Sequence, residues 1–514
     1  MQSNLTLIGF GVIGVESLHA LVKKINKKKK FKIIVIEKDI RNIPGGVAYS
    51  KKNSKFGFFN NPVRLSHPSF ISWLNKKKNI SRLTDFINNN PSYFLKKWLI
   101  DNYNNLIKKK SLKEIYFPRL IYSFYLEDKI KDIVKIITKK KVLINFYHGN
   151  IDRINPKKNT LQLFSNSNFK SFKIQNQNQK LNIFSLKKEI KSLETEKILL
   201  GNGLLPPKKI KINKKNNNKY IWDFYSEGGT GNLIKKINLV KRKKNNVVIT
   251  FIGNKAGLLE TTLQLKRLIF TKNIDMTINV ISKKFSTLNK ASFSDNFKTY
   301  KLKIFTKNKI KKIENANDIL FLLKKEFSIG ISNKFNKYDI WTTILKKNIL
   351  NNSISKLNLL EKKKYNLLIF PKIRSITRFT FPGTVLAKNF LERKKKIKII
   401  KGKCVSIRKL KNRILVMTDT KKQIESDIVV NVSGPVDLQS LNNESKLIKI
   451  IKNLEGKFDK RGFLTDRNFM LSNKIFMPGT LAYNFNPLRQ TIIKAVTNNS
   501  RKAINFLLKE NNLI

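Results

Sequence analysis

Leu5-Thr-Leu-Ile8-Gly9-Phe-Gly11-Val-Ile-Gly14-Val15, followed sixteen residues on by Phe31-Lys-Ile-Ile-Val-Ile36-Glu37, decides the fold. Leu5 to Ile8 is a short β-type run, and Val15 to Ile25 has the periodicity of a helix. Phe31 to Ile36 is apolar enough for a second, largely buried strand. Strand, glycine-rich turn, helix and strand in about 30 residues make a βαβ unit, with parallel strands and a right-handed crossover.

The turn is an intact G-x-G-x-x-G, and each glycine has a distinct task. Gly9 permits the tight turn, Gly11 lets a diphosphate approach the backbone, and Gly14 lets helix and strand pack closely. A diphosphate there meets free N–H groups and the positive end of the helix dipole. Glu37, about twenty residues beyond, stands where an acid binds the ribose. A carboxylate suits a free 2′-hydroxyl, as in FAD, and repels a 2′-phosphate. Gly9, Gly11, Gly14 and Glu37 are therefore expected to bind FAD.

The same order returns later in the chain. Val247 to Ile252 is a strand, Gly253 to Gly257 a turn, Leu258 to Leu268 a helix and Met276 to Ile281 a second strand. Here the motif is damaged: Gly253 and Gly257 remain, but Lys255 replaces the middle glycine. The second strand runs into Ser282-Lys283-Lys284, cations where an acid would select NADH. Lys283 so placed suits the 2′-phosphate of NADPH, although lysine is also the background residue of this chain. Gly253, Gly257 and Lys283 are the expected nicotinamide-side residues.

Both halves then continue alike. Short strands at 142–146, 151–154 and 160–164 lead to Lys197–Leu200 and Gly201-Asn-Gly203, while strands at 397–400, 405–407 and 414–416 lead to Asp427–Val432 and Ser433-Gly434. The polar segment 166–196 reads as an irregular insertion in the first meander, and 291–367 as helical without a motif. The expected fold is α/β with two dinucleotide-binding Rossmann-like domains. The FAD domain is discontinuous (1–240 and 426–514), with an NAD(P)-binding domain inserted at 246–425.

Composition sets limits. At 514 residues the chain exceeds a single core, and 41% hydrophobic residues suffice for packed domains. Cys404 is the only cysteine, so an intrachain disulfide or a cysteine-rich cluster is excluded. His19, His67 and His148 lack ligand spacing, and no metal is expected. No apolar run is long enough to span a bilayer. Leu5 to Val22 carries Glu16 and His19 and no cleavage signature, so it reads as folded and the protein as cytoplasmic. The net charge of +73 would ordinarily point to nucleic acid. Lysines sit in nearly every loop, beside abundant Ile, Asn and Phe, so codon usage is the favoured reading.

Several blocks in order make the chain similar to the FAD/NAD(P)-binding flavoproteins that include FAD-dependent urate hydroxylases. The N-hydroxylating and Baeyer–Villiger monooxygenases are the wider relatives. The blocks are Gly9–Gly14, Gly45-Gly-Val-Ala-Tyr49-Ser, Phe59-Asn60-Asn-Pro62, Phe70-Ile-Ser-Trp73-Leu, Pro118-Arg119 to Tyr125-Leu126 and Leu199-Leu-Gly-Asn-Gly203. Gly462-Phe-Leu-Thr-Asp466 and Ile475-Phe-Met-Pro-Gly479 follow, ahead of a closing helix from Leu488. The sixth block keeps only Gly203 of the usual Ala-Thr-Gly.

The resemblance implies that Gly46, Tyr49 and Asn60 lie along the flavin and that Gly203 ends the strand passing it. It also implies that Gly479 brings the last helix toward the isoalloxazine or ribityl chain. Taken singly, Gly46 is equally a turn, Tyr49 and Trp73 core aromatics, and Asn60 with Pro62 a loop. Arg119 is either a flavin-side contact or an ion pair. The implied activity is reduction of FAD by NAD(P)H and hydroxylation of a small molecule, with no catalytic acid–base pair identifiable. An RNA-modifying flavoprotein, and a flavin-binding protein without nicotinamide-driven activity, are the alternatives.

Overall fold

The computed structural model describes residues 2–511 except 27, 91, 109–114, 178–179, 202, 204, 208–209, 211, 214–218, 284–287, 291–299, 347–348, 435–445, 456–457, 460–461 and 483–491. Six strands of the N-terminal part are β1 (Gln2–Ile8), β2 (Phe31–Glu37), β3 (Val142–His148), β4 (Arg153–Pro156), β5 (Leu161–Gln177) and β6 (Lys180–Leu200). They join Met470–Ser472 and Ile475–Phe476 in an eight-stranded sheet. Its order is Met470–Ser472, Ile475–Phe476, β6, β1, β2, β3, β5, β4.

β1 lies between β2 and β6, parallel to both, with Leu7 opposite Val35 on one side and Leu199 on the other. Leu5, Leu7, Ile33, Ile34, Val35, Ile198, Leu199 and Leu200 are wholly inaccessible. Burial on both faces is why these strands read as unbroken apolar runs rather than alternating ones. Helix α1 (Val12–Lys24) covers one face, and the helix Ile492–Glu510 packs on α1. Ala503, Ile504, Leu507 and Leu508 of that last helix enter the same core. The expected helix start at Leu488 lies outside the described residues.

A second, wholly parallel sheet has the order Ile397–Lys401, Asp275–Ser282, Asn246–Ile252, Ile428–Asn431, Tyr220–Ile221. Numbered by their order within each half, its first four strands run third, second, first, fourth. β3, β2, β1 and β6 repeat that arrangement in the first sheet. The recurrence read along the sequence is thus a recurrence of topology.

Two expectations need correction. The segment 166–196 is not irregular: it forms most of the long antiparallel hairpin of β5 and β6. Lysine and asparagine mask an alternation in which Phe172 and Ile174 are buried while Lys170 and Lys173 are exposed. The second unit also draws on chain outside 246–425, because Ile428–Asn431 and Tyr220–Ile221 are strands of its sheet. Cys404–Lys409, Ile414–Thr418 and Gln423–Ser426 form a separate four-stranded sheet with Ile212–Asn213. Between the second and third strands of the inserted unit lie helices from Lys307 to Ile376 with their own core, centred on Phe305, Ile319, Leu323, Ile340 and Ile373.

Candidate dinucleotide site

Gly9 follows β1 with φ of +94°, and its N–H donates to the Ile36 carbonyl at 2.8 Å. Gly11 is the N-cap of α1, and no side chain caps that helix or places an acid in its first turn. Its leading N–H groups are thus left for an external anion. A Cβ on Gly11 would come within 3.2 Å of Gly46 Cα, and one on Gly14 would strike the Gly9 carbonyl oxygen. The first close approach brings the Gly45-Gly46 block onto the glycine turn, where Gly11 and Gly45 form a bridge. The second explains why residue 14 admits no side chain.

Glu37, at the end of β2, accepts the Phe10 N–H at 2.6 Å and the Asp39 N–H at 3.0 Å. Burial raises its pKa, against the opposing pull of these N–H groups. A carboxylate has about four lone-pair sites, so acceptor capacity is left beyond these bonds. The uncapped helix, the glycine cradle and the anchored carboxylate therefore fit a diphosphate and a ribose diol.

Tyr49 lies on the short helix Gly46–Tyr49, with its ring 5.3 Å from that of Tyr122 and 6.1 Å from that of Phe59. Asn60 Oδ1 accepts the Thr380 hydroxyl at 3.3 Å, so this loop meets the inserted region. β6 ends at Leu200, and it is Gly201 that packs against Gly9; Gly203 stands exposed with open space around it. Gly201, in the same Leu199–Gly203 block, admits no side chain because a Cβ would strike the Gly9 carbonyl oxygen. Gly479 is buried just after Ile475–Phe476.

The second turn copies the first in backbone. Gly253 has φ of +115°, and its N–H donates to the Ile281 carbonyl at 2.9 Å. Gly253 and Gly257 both abut Val432 at the end of the fourth strand. Lys255 is the N-cap of the helix Ala256–Phe270, with φ −127° and ψ −146°, against −79° and −154° at Gly11. Neither has a positive φ, so the lysine stands at this turn without left-handed backbone strain. Lys283 is exposed beyond the strand end, and Lys284 lies outside the described residues.

Between the two halves Arg119 meets two residues, Glu260 and Tyr225, that no motif announced. Arg119 Nη1 lies 2.8 Å from Glu260 Oε2, joining the N-terminal part to the helix Ala256–Phe270. Arg119 Nε donates to the Phe58 carbonyl and its backbone N–H to the Gly57 carbonyl. Burial opposes the Arg119 charge, but Glu260, Tyr225 and Tyr49 outweigh it and hold the guanidinium above its ordinary range. Burial first, and then Glu260, raise the Tyr225 phenol. Arg119 thus forms an ion pair between the two halves, with most of its side chain out of water.

Residues 6–175 match a family described as FAD-NAD(P)-binding. The architecture is an FAD/NAD(P)-binding Rossmann fold. FAD and NAD(P)H are the cofactors that go with it. No curated protein matches the chain. Among solved structures, the ornithine hydroxylase of Pseudomonas aeruginosa aligns over 99% of this chain and 100% of its own, at 10% identity and a TM-score of 0.53. The FAD-bound cadaverine monooxygenase of Erwinia amylovora aligns over 100% and 95%, at 9% identity and 0.51. The bacillithiol disulfide reductase of Staphylococcus aureus aligns over 99% and 99%, at 9% identity and 0.49. At 9–10% identity, the likeness to the ornithine hydroxylase and the cadaverine monooxygenase is one of fold alone. No described helix is long and apolar enough to cross a membrane.

Proposed function

We propose that this chain is an FAD-dependent NAD(P)H oxidoreductase that hydroxylates a small molecule. The carrying observation is the repeated strand order, each copy opening on a glycine turn and an uncapped helix. When bound, FAD supplies the redox chemistry and the nicotinamide its hydride. The chain's own part is to bind and orient. Gly9, Gly11 and Gly14 admit the diphosphate, Glu37 accepts from the ribose, and Gly46, Tyr49, Asn60, Gly203 and Gly479 border the flavin. On the nicotinamide side, Gly253 and Gly257 shape the turn, while Lys255 and Lys283 attract phosphate.

A dithiol relay within this sequence is not available as an alternative. Cys404 is its only cysteine, buried in the four-stranded sheet with its thiol pushed up to about 12 by burial. Anaerobic stopped-flow spectroscopy with NADPH and NADH tests the proposal. Bleaching of bound flavin is expected, faster with NADPH, and Lys283→Gln should slow NADPH more than NADH. No bleaching by either nucleotide would sink the nicotinamide-driven reading. Product analysis under oxygen then distinguishes hydroxylation from simple electron transfer.

A further inference from the structure

The helix Ala256–Phe270 packs in two directions. Leu258, Leu265, Leu268 and Ile269 enter the core of the inserted unit. Glu260, Leu263 and Arg267, at i, i+3 and i+7, share the opposite side and meet the N-terminal part instead. Glu260 pairs with Arg119 at 2.8 Å, Leu263 packs against the first core, and the Arg267 guanidinium lies 4.4 Å from the Tyr93 ring centroid. Three contacts along about 10 Å of helix fix its direction as well as its position.

The Arg119 end of this tie leads into the loop proposed above to border the flavin. Its Nε donates to the Phe58 carbonyl at 2.9 Å and its backbone N–H to the Gly57 carbonyl at 2.8 Å, with Asn60 two residues beyond Phe58. A Cβ on Gly57 would lie 3.1 Å from Glu260 Oε1 and 3.3 Å from Arg119 Cδ, so the ion pair takes the space of a side chain there. At the other end, Glu260 stands five residues after Lys255, the N-cap at the second glycine turn. The neighbouring helix Pro382–Arg393 strengthens the junction. Its Thr384 carbonyl accepts the Thr262 hydroxyl at 2.8 Å, and its N-cap Phe381 packs on Phe58 with ring centroids 4.2 Å apart.

We infer that Arg119 and Glu260 are positioning residues for flavin reduction: paired, they hold the second glycine turn at one distance and angle from the Asn60 loop. The consequence, though not the tie itself, rests on the proposed oxidoreductase activity. In that step NAD(P)H gives a hydride, with its two electrons, to FAD, leaving NAD(P)⁺ and reduced flavin; neither residue exchanges a proton. A misplacement of about 1 Å in such a reaction can cost about a hundredfold in rate. The planar, forked guanidinium prefers particular directions toward a carboxylate and a carbonyl, which apolar packing does not supply.

Arg119→Met/Glu260→Leu separates position from stability, because it leaves no buried charge unmatched. Cys404 is the only cysteine and is buried, so spin labels attach to introduced cysteines. Lys135→Cys on the helix Arg119–Ile137 and Lys398→Cys on the strand Ile397–Lys401 are exposed sites, one in each part. Electron–electron double resonance on the FAD-loaded protein should give one narrow distance with the ion pair intact, and a broader or shifted one in the folded double variant. Glu260→Gln, the same shape without the charge, should move the distance the same way. In anaerobic stopped-flow reduction the limiting rate of both variants should fall about tenfold or more, with half-saturation by NADPH unchanged. Arg413→Gln/Glu425→Gln, an exposed pair elsewhere in the chain, should change neither readout. A narrow, unshifted distance in both variants would overturn the inference whatever the activity. So would an unchanged limiting rate, or a loss confined to NADPH affinity. If neither nicotinamide reduces the flavin in wild type, the proposed activity fails, and the distance alone still decides whether the pair holds the two parts in register.

Discussion

Gly11 is the residue on which cofactor binding most depends. Its missing side chain is needed twice: Gly46 Cα would lie 3.2 Å from a Cβ, and any Cβ would also stand between the turn and a diphosphate. Gly11→Ala should weaken FAD binding by about tenfold or more, about 1.4 kcal/mol, in a flavin-fluorescence titration; unchanged affinity would remove the turn from the site. A second prediction concerns His19 and His67. His19 Nε2 pairs with Asp132 at 2.8 Å, and His67 Nδ1 accepts the Ser69 N–H at 3.1 Å as N-cap of the helix Pro68–Leu74. Burial first, and then Lys129 for His19 or Arg501 for His67, lower each to about 4. The unfolded chain takes up protons near pH 6.5 and the folded chain only near 4, so folding stability falls as pH drops through that window. The loss reaches roughly 3 kcal/mol for a fully expressed shift of this size. Urea midpoints between pH 7 and 4 should fall, and His19→Gln/His67→Gln should flatten the decline.

At the scale of elements, the pairing of Arg119 with Glu260 couples the helix Arg119–Ile137 to the helix Ala256–Phe270 across the domain boundary. With side-chain exposures of 13% and 7%, removing one partner leaves the other desolvated and unmatched. Glu260→Gln should therefore cost about 3 kcal/mol, while Arg119→Met/Glu260→Leu should cost less than either single change. A denaturation double-mutant cycle measures this, and additive losses would show that the pair does not couple the domains. Local pattern made the βαβ openings legible, since Leu5–Ile8 and Val247–Ile252 are buried on both faces and each meets a glycine turn. It did not reveal the β5–β6 hairpin, because only alternate residues such as Phe172 and Ile174 are buried there and lysine fills the gaps. It also could not assign Ile428–Asn431 to the second sheet, since a buried parallel strand carries no mark of which neighbour it joins. Glu260 and Tyr225 lie in unremarkable helix and loop sequence, and only tertiary packing brings them to Arg119.

For the whole molecule, the net charge of +73 makes two opposed claims that salt can separate. Self-repulsion of that size destabilises a compact chain, and exposed charges further apart than about 8 Å are largely screened at physiological ionic strength. The melting midpoint should therefore rise as sodium chloride is increased from low concentration and then level off, against the usual expectation that surface ion pairs weaken. Pairs such as Lys97–Asp101 and Arg413–Glu425 are exposed and few beside the excess of lysine, so their loss is the smaller effect. The same field attracts any polyanion. If codon usage accounts for the lysines, RNA should bind without preference for sequence or shape, and affinity should fall linearly on a log–log plot against salt. A filter-binding series with competitor RNA at physiological salt decides between the readings. Release of every RNA tested supports a small-molecule enzyme with a basic surface. Retention of one defined RNA, at a specificity ratio that survives competitor, would instead place a nucleic acid at the flavin and make the positive charge part of substrate recognition.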